Sequence, residues 1–166
     1  VLKTPEPTIQ KPMKTSLFAI PLVATAALVC SCEKAQMKAE TLGDATFART
    51  TFESLARGDQ SVSESIDWNT FNSLGENVGM AYTKIASPED QRRFREAFIT
   101  QFASSFQAAG GRVEDFTDWK VVEHSATHTV VSAVSPAKIL NVTVNERDGK
   151  ERISGLSVTV PVTVTQ

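Results

Sequence analysis

Two histidines, His124 and His128, stand four residues apart, with Glu123 beside the first. Imidazole nitrogens are common metal ligands, and on a helix this spacing sets both rings on one face. Here the intervening Ser125-Ala126-Thr127 separates two β-rich stretches, so the pair straddles a turn. Two histidines do not complete a coordination shell, and Glu123 would have to rotate in to help. His124 and His128 are therefore metal candidates set against the simpler reading of two solvated turn residues. Asp59, Asp67 and Tyr82 are the best acid–base set. For Asp67 to work as a base it must sit in an apolar pocket that raises its pKa. The competing reading makes Asp67 a helix cap and Tyr82 a core residue with its hydroxyl at the rim. Trp68, Tyr82, Phe98, Phe102 and Trp119 are candidates to line an apolar ligand pocket, although aromatics at helical spacing more often fill a core. The chain has no Gly-rich phosphate loop, nucleophile elbow or cysteine metal pair, and no cofactor is implied.

A third kind of chemistry lies nearer the N-terminus. Met13-Lys14-Thr15 precedes an apolar run from Leu17 to Val29. That run is well short of the about 20 residues a membrane-crossing helix needs, and a short positive start with a short apolar core reads as a secretory signal. It ends in Val29-Cys30-Ser31-Cys32, which resembles the lipobox of bacterial lipoproteins. In such a motif an aliphatic residue stands three before the cysteine and a small residue directly before it. The small residue suits the narrow pocket of the signal peptidase, and the thiol is the nucleophile for lipid transfer. The resemblance implies that Cys32 becomes the new N-terminus, carrying diacylglyceryl and palmitate groups. It implies an exported protein, anchored in a membrane and facing the periplasm or the cell exterior. Cys30, at a position where Ala, Ser, Thr or Val is usual, departs from the pattern. On this reading residues 1–12 are an upstream extension before a start at Met13, 13–31 are the signal, 32–43 a polar tether, and 44–166 a single domain. Cys30 leaves with the signal, so the domain keeps no free thiol and must be stable by its hydrophobic core.

Composition agrees with one globular domain: 166 residues, 41% hydrophobic and 22% charged. Residues 32–166 carry 14 basic and 18 acidic side chains. A mildly acidic domain repels phosphate backbones, which excludes nucleic acid as the expected partner and leaves membrane attachment to the N-terminal lipid.

The elements that must position these side chains divide at Gly111. Before it the pattern is helical. Asp44 to Arg57 is expected as a helix with Asp44 as cap, Gly58 as stop, and Ala45, Ala48, Phe52, Leu55 and Ala56 on one face. Ser61-Val62-Ser63-Glu64 matches a capping box. Asp67 is expected to cap a helix whose stripe is Trp68, Phe71, Leu74, Val78, Tyr82 and Ile85, with Gly75 and Gly79 allowing close packing on a neighbour. Ser87-Pro88-Glu89-Asp90 opens a third helix, Phe94, Phe98, Phe102 and Phe106 recur every four residues, and Gly110-Gly111 stops it. After Gly111 four strands are expected, over 117–124, 129–134, 138–145 and 152–160, with Asp148-Gly149 as a type I′ hairpin turn. From Leu156 to Thr165 valines alternate with Ser and Thr, and Pro161 marks the strand as an edge or splits it. The expected class is α+β: about three N-terminal helices packed on one face of a curved antiparallel sheet of about four strands.

That order of elements resembles a known type. Phe52-Glu53-Ser54-Leu55-Ala56-Arg57-Gly58-Asp59 is similar to the first helix and turn of cone-shaped α+β domains of the nuclear-transport-factor-like (SnoaL-like, cystatin-like) superfamily. Asp118-Trp119-Lys120-Val121-Val122 and the valine-rich hairpins after it resemble the curved sheet. Many members place a strand among the helices, whereas here all the helices are expected first. The resemblance implies a pocket between sheet and helices. Some members bind small apolar ligands, a few are isomerases or cyclases, and many are not enzymes. In an isomerase the pocket carboxylate and phenol moving a proton beside a carbonyl would be Asp67 and Tyr82. The expectation is a lipid-anchored, non-catalytic binding domain for a partner protein of the envelope or a small apolar ligand. The alternatives are an assembly component using the C-terminal edge strand, and a small isomerase-like enzyme.

Overall fold

The structure is a computed structural model, which describes the backbone of residues 29–160 and the side chains of residues 42–160. The upstream extension and nearly all of the signal lie outside the described residues, as does the Cys32 side chain.

The first helix, α1 (Val29–Arg57), is longer than expected. Asp44 lies inside it and is no cap. The stretch from Glu33 to Leu42 is polar, but Glu, Lys, Ala, Gln and Met are strong helix formers, so nothing in it stops the helix. The end is where the sequence places it. Gly58 takes φ 77°, and the N–H groups of Gly58 and Asp59 donate to Leu55 O and Ser54 O, both at 3.0 Å. These two bonds satisfy the last carbonyls of the helix. Ala48, Phe52, Leu55 and Ala56 are buried. A 3₁₀ turn, Gln60–Ser65, follows. Its cap is Asp59, not Ser61: the Asp59 carboxylate accepts the Ser61 N–H at 2.9 Å.

The expected helix over 67–85 is replaced by a hairpin and a short helix: β1 (Asn72–Ser73), β2 (Glu76–Asn77) and α2 (Val78–Thr83). Leu74 and Gly75 both take positive φ, 52° and 93°, which no right-handed helix accommodates. β1 is instead drawn into parallel pairing with a later strand, Asn72 beside Gly155 and Ser73 beside Leu156. Trp68, Phe71, Val78 and Tyr82 are still buried, but Leu74 is 53% exposed. Gly79 is held close to the preceding loop, its N–H donating to Phe71 O at 2.8 Å.

The third helix, α3 (Pro88–Ala108), matches its signals. Ser87 accepts the Asp90 N–H at 3.4 Å, and Pro88 occupies the first turn. Gly110 takes φ 73°. Gly111 N–H donates to Phe106 O at 2.9 Å. A Cβ on Gly111 would stand 2.5 Å from the Phe106 ring.

β3 (Thr117–His124), β4 (Thr129–Val134), β5 (Ile139–Arg147) and β6 (Lys150–Thr159) follow as an antiparallel meander. Asp148 and Gly149 take φ 55° and 70°, the two left-handed positions of a type I′ turn. The sheet has six strands in the order β2-β1-β6-β5-β4-β3. The chain is thus α+β, with helices packed against a mostly antiparallel sheet, and a strand pair does sit among the helices. Val131, Leu140, Val142, Val144, Ile153 and Leu156 form the sheet side of the core; Phe52, Leu55, Phe71 and Ile99 belong to the same core. β6 is an interior strand where Ile66, Asn72 and Ser73 pair with it, from Ile153 to Leu156. Beyond Leu156, as at its first residues before Ile153, that side of β6 has no partner strand among the described residues. Pro161 lies outside them.

Candidate functional site

Asp67 is buried, and its carboxylate is fully engaged. It accepts the Asn69 N–H at 3.3 Å and the Thr70 hydroxyl at 2.9 Å. The Arg147 guanidinium stands 3.1 and 3.2 Å from its two oxygens. The residue shapes a turn and ties it to the end of β5, and it caps no long helix. Tyr82 is also buried; its hydroxyl donates to Gln91 Oε1 at 3.3 Å and accepts from Arg95 Nη1 at 2.9 Å. No hydrogen bond joins Asp67 to Tyr82. Asp59 is exposed, and its carboxyl is held below the usual range by the Ser61 backbone N–H and then by the Ser61 hydroxyl.

The histidines sit on the β3–β4 hairpin, as their spacing implies. His124 Nδ1 lies 3.0 Å from Thr129 Oγ1. His128 Nδ1 is 3.0 Å from Ser125 Oγ, and its Nε2 is 3.2 Å from Glu123 Oε1. Glu123 therefore reaches His128. Among the described residues no three His, Cys, Asp or Glu side chains converge as a metal shell.

Of the aromatics expected to line a pocket, most fill the core. Trp68 meets Phe71 and Phe98 edge-on at 6.0 and 5.7 Å, and its indole N–H donates to Ser63 O at 2.9 Å. Tyr82 packs on Trp68 at 5.9 Å. Trp119 packs on Phe52 at 6.0 Å and donates to Phe116 O at 3.0 Å. Such edge-on and tilted pairs are how aromatic rings pack in and against a core.

Phe102 alone of that set lines an apolar cavity, while Trp119 lines a charged cleft beside α1. This aromatic cavity, of about 350 Å³, lies between the C-terminal turn of α3, the β4–β5 turn and the open end of β6. Its walls are Phe52, Phe102, Phe106, Phe116, Leu140 and Val158, with Leu74 at the β1–β2 turn. Arg112, Asp115 and Lys138 also line it, as do Ser105 on α3 and Ala109 just after it. Phe52 anchors the wall, meeting Phe106 at 5.7 Å and Phe116 at 5.2 Å, both edge-on. The volume falls at the small end of the 300–1,000 Å³ typical of small-molecule sites, and an apolar lining with a few polar groups is their usual chemistry. The sequence shows no sign of most of these residues as a site, because they come from separate elements spread from α1 to β6. The Pro136 break and Gly110-Gly111 mark two of the turns that frame it.

Two other clefts have different chemistry. One, of about 400 Å³ between α1 and the start of β3, is lined by Arg49, Glu53, Arg57 and Glu114. These charges are paired among themselves, Arg49 with Glu53 at 2.8 Å and Arg57 with Glu114 at 3.9 Å. The other, of about 690 Å³, is lined by Asp44, His124, His128, Glu146 and Glu151. There the Glu151 carboxyl is pushed up to about 7 by burial first, then by a hydrogen bond to Asp44 and the charges of Asp44 and Glu146.

Among the described residues no helix is long and apolar enough to cross a membrane. The chain matches no protein-family model, no curated protein and no solved structure.

Proposed function

We propose that this protein is a lipid-anchored domain of the bacterial envelope that binds a small apolar ligand in the aromatic cavity and does no chemistry on it. The observation that carries the reading is the cavity itself: a concavity of ligand size whose aromatic lining sets it apart from the two charge-lined clefts. The lipobox-like Val29-Cys30-Ser31-Cys32 supports anchorage through Cys32. The strand pair between the helices supports a nuclear-transport-factor-like cone, since members of that superfamily place a strand there. An isomerase reading draws no support, because Asp67 is ion-paired with Arg147 and Tyr82 is held by Arg95.

Native mass spectrometry with organic extraction, on protein taken from its own envelope, tests the reading. A small apolar molecule should leave the wild type and be missing from Ser105→Trp, which fills the cavity from the exposed side of α3. Empty wild-type protein that also fails to take up apolar probes would refute the proposal. Intact mass of the same material should show Cys32 carrying a diacylglyceryl group and a palmitate.

A second reading, assembly through strand addition, is favoured by one observation. Beyond Leu156 the free side of β6 is an open template for a partner strand, with Val158 on it and Val160 just after it exposed, 41% and 75% accessible. A partner cross-linked at Thr159 in cells, with an empty cavity, is the outcome that reading requires.

A further inference from the structure

We infer that the aromatic cavity takes a medium-chain amphiphile with one anionic group, its chain against Leu74 and Phe106 and its charge at Lys138. This rests on the reading of that cavity as a ligand site and names the ligand's class.

Leu74 is the first clue. It is the first central residue of a two-residue hairpin turn, at φ 52°, ahead of Gly75 at φ 93°. Asparagine or glycine suits that position, whereas leucine pays a steric penalty there. Its backbone is fastened, with the N–H donating to Leu156 O at 2.8 Å. Yet the side chain is 53% exposed, so little burial compensates the strain. An apolar side chain held in an unfavourable conformation at the wall of an apolar cavity is compensated when a ligand covers it. Phe102 and Phe106, stepping along α3, supply apolar surface in the same cavity.

The charge at the mouth is the second clue. Lys138 ends a turn locked by its own backbone: Ser135 N–H donates to Lys138 O at 2.8 Å, and Lys138 N–H donates to Ser135 Oγ at 3.1 Å. Among the described residues no ion pair takes up its ammonium. Arg112 lines the same mouth, with Asp115 at 4.0 Å. The C-terminal end of α3 adds a partial negative charge of about one half. Two whole positive charges still outweigh that half charge and one carboxylate, so the mouth favours an anion.

Size sets the third condition. At about 30 Å³ per water-sized group the cavity holds about a dozen heavy atoms, which matches one medium chain.

Calorimetric titration of the full chain with decanoate, decanol and decyltrimethylammonium tests the inference. Decanoate should bind about threefold to fivefold tighter than decanol, the scale of one exposed ion pair. Lys138→Glu should erase that preference, and salt should shrink it. Leu74→Asn should raise the thermal midpoint while weakening decanoate, opposite changes that a purely structural role would not produce. Decanol binding as tightly as decanoate would overturn the anionic class and leave the cavity reading standing. Leu74→Asn binding decanoate as well as wild type would overturn the role of Leu74. Binding of none of the three would overturn both the class and the cavity reading.

Discussion

Gly79 offers a test in which sequence and structure disagree about sign. In a continuous helix over 67–85, Gly79→Ala would replace a poor helix former by the best one and add about 1 kcal/mol of stability. In the structure a Cβ at this position meets Asn69 O at 2.7 Å, Asn69 C at 2.9 Å and Phe71 N at 3.0 Å. All three are backbone atoms, so no side chain can swing away, and overpacking of this kind costs about 1–3 kcal/mol. Relief by moving α2 would also stretch the Gly79 N–H bond to Phe71 O, worth about 1 kcal/mol. With the propensity gain set against these costs, Gly79→Ala should be destabilising by about 2 kcal/mol. Urea unfolding followed by far-ultraviolet circular dichroism would show this as a midpoint lowered by about 1 M at an unchanged slope. A midpoint that stays or rises would mean that the hairpin and short α2 are wrong and that the continuous helix is right.

Phe52→Ala removes the ring that anchors the cavity wall against Phe106 and Phe116; a loss of about 3–5 kcal/mol is expected by urea unfolding, with apolar-probe binding lost as well. Arg147→Ala leaves the buried Asp67 carboxylate without its cation. It should be destabilising by about 2–3 kcal/mol, and Asp67→Asn in the same background should restore part of that. The Glu151 carboxyl, pushed up to about 7 from an ordinary 4.5, binds its proton more tightly in the folded state than in the unfolded one. Its contribution is therefore fully present below about pH 4.5 and lost as pH rises through 7. The loss should be about 1 kcal/mol, discounted from the full shift because the side chain is partly exposed to solvent. Comparing wild type with Glu151→Gln at pH 5 and pH 8 isolates it, and a variant with the same pH slope as wild type would contradict the assignment.

What could be read from the residues was whatever local chemistry decides. α3 was legible because Ser87, Pro88, the four-residue phenylalanine repeat and Gly110-Gly111 all act within a few residues of where they stand. Asp148-Gly149 was legible for the same reason: both take the left-handed conformation their types favour. The stretch from Asp67 to Ile85 was not. Burial of Trp68, Phe71, Val78 and Tyr82, at steps of three, seven and four, has the period of a helix. The decision against one came from a distant partner, β6, which pairs with β1, and from Arg147, which holds Asp67. α1 overran Asp44 because polarity distinguishes surface from core and does not distinguish helix from coil. Of the candidate pocket aromatics only Phe102 reached the cavity. The other walls are set by tertiary packing of residues as far apart as Phe52 and Val158, which no local pattern encodes.

The central claim, that the aromatic cavity is where this domain meets its ligand, is tested most directly by methyl nuclear magnetic resonance during titration with decanoate. The account expects saturable shifts at the methyl groups of Leu74, Leu140, Leu156 and Val158, with Val62 and Ile99 in the closed core unmoved. Shifts that centre on the cleft of Asp44, His124 and Glu151, or no saturable shifts at all, would contradict it.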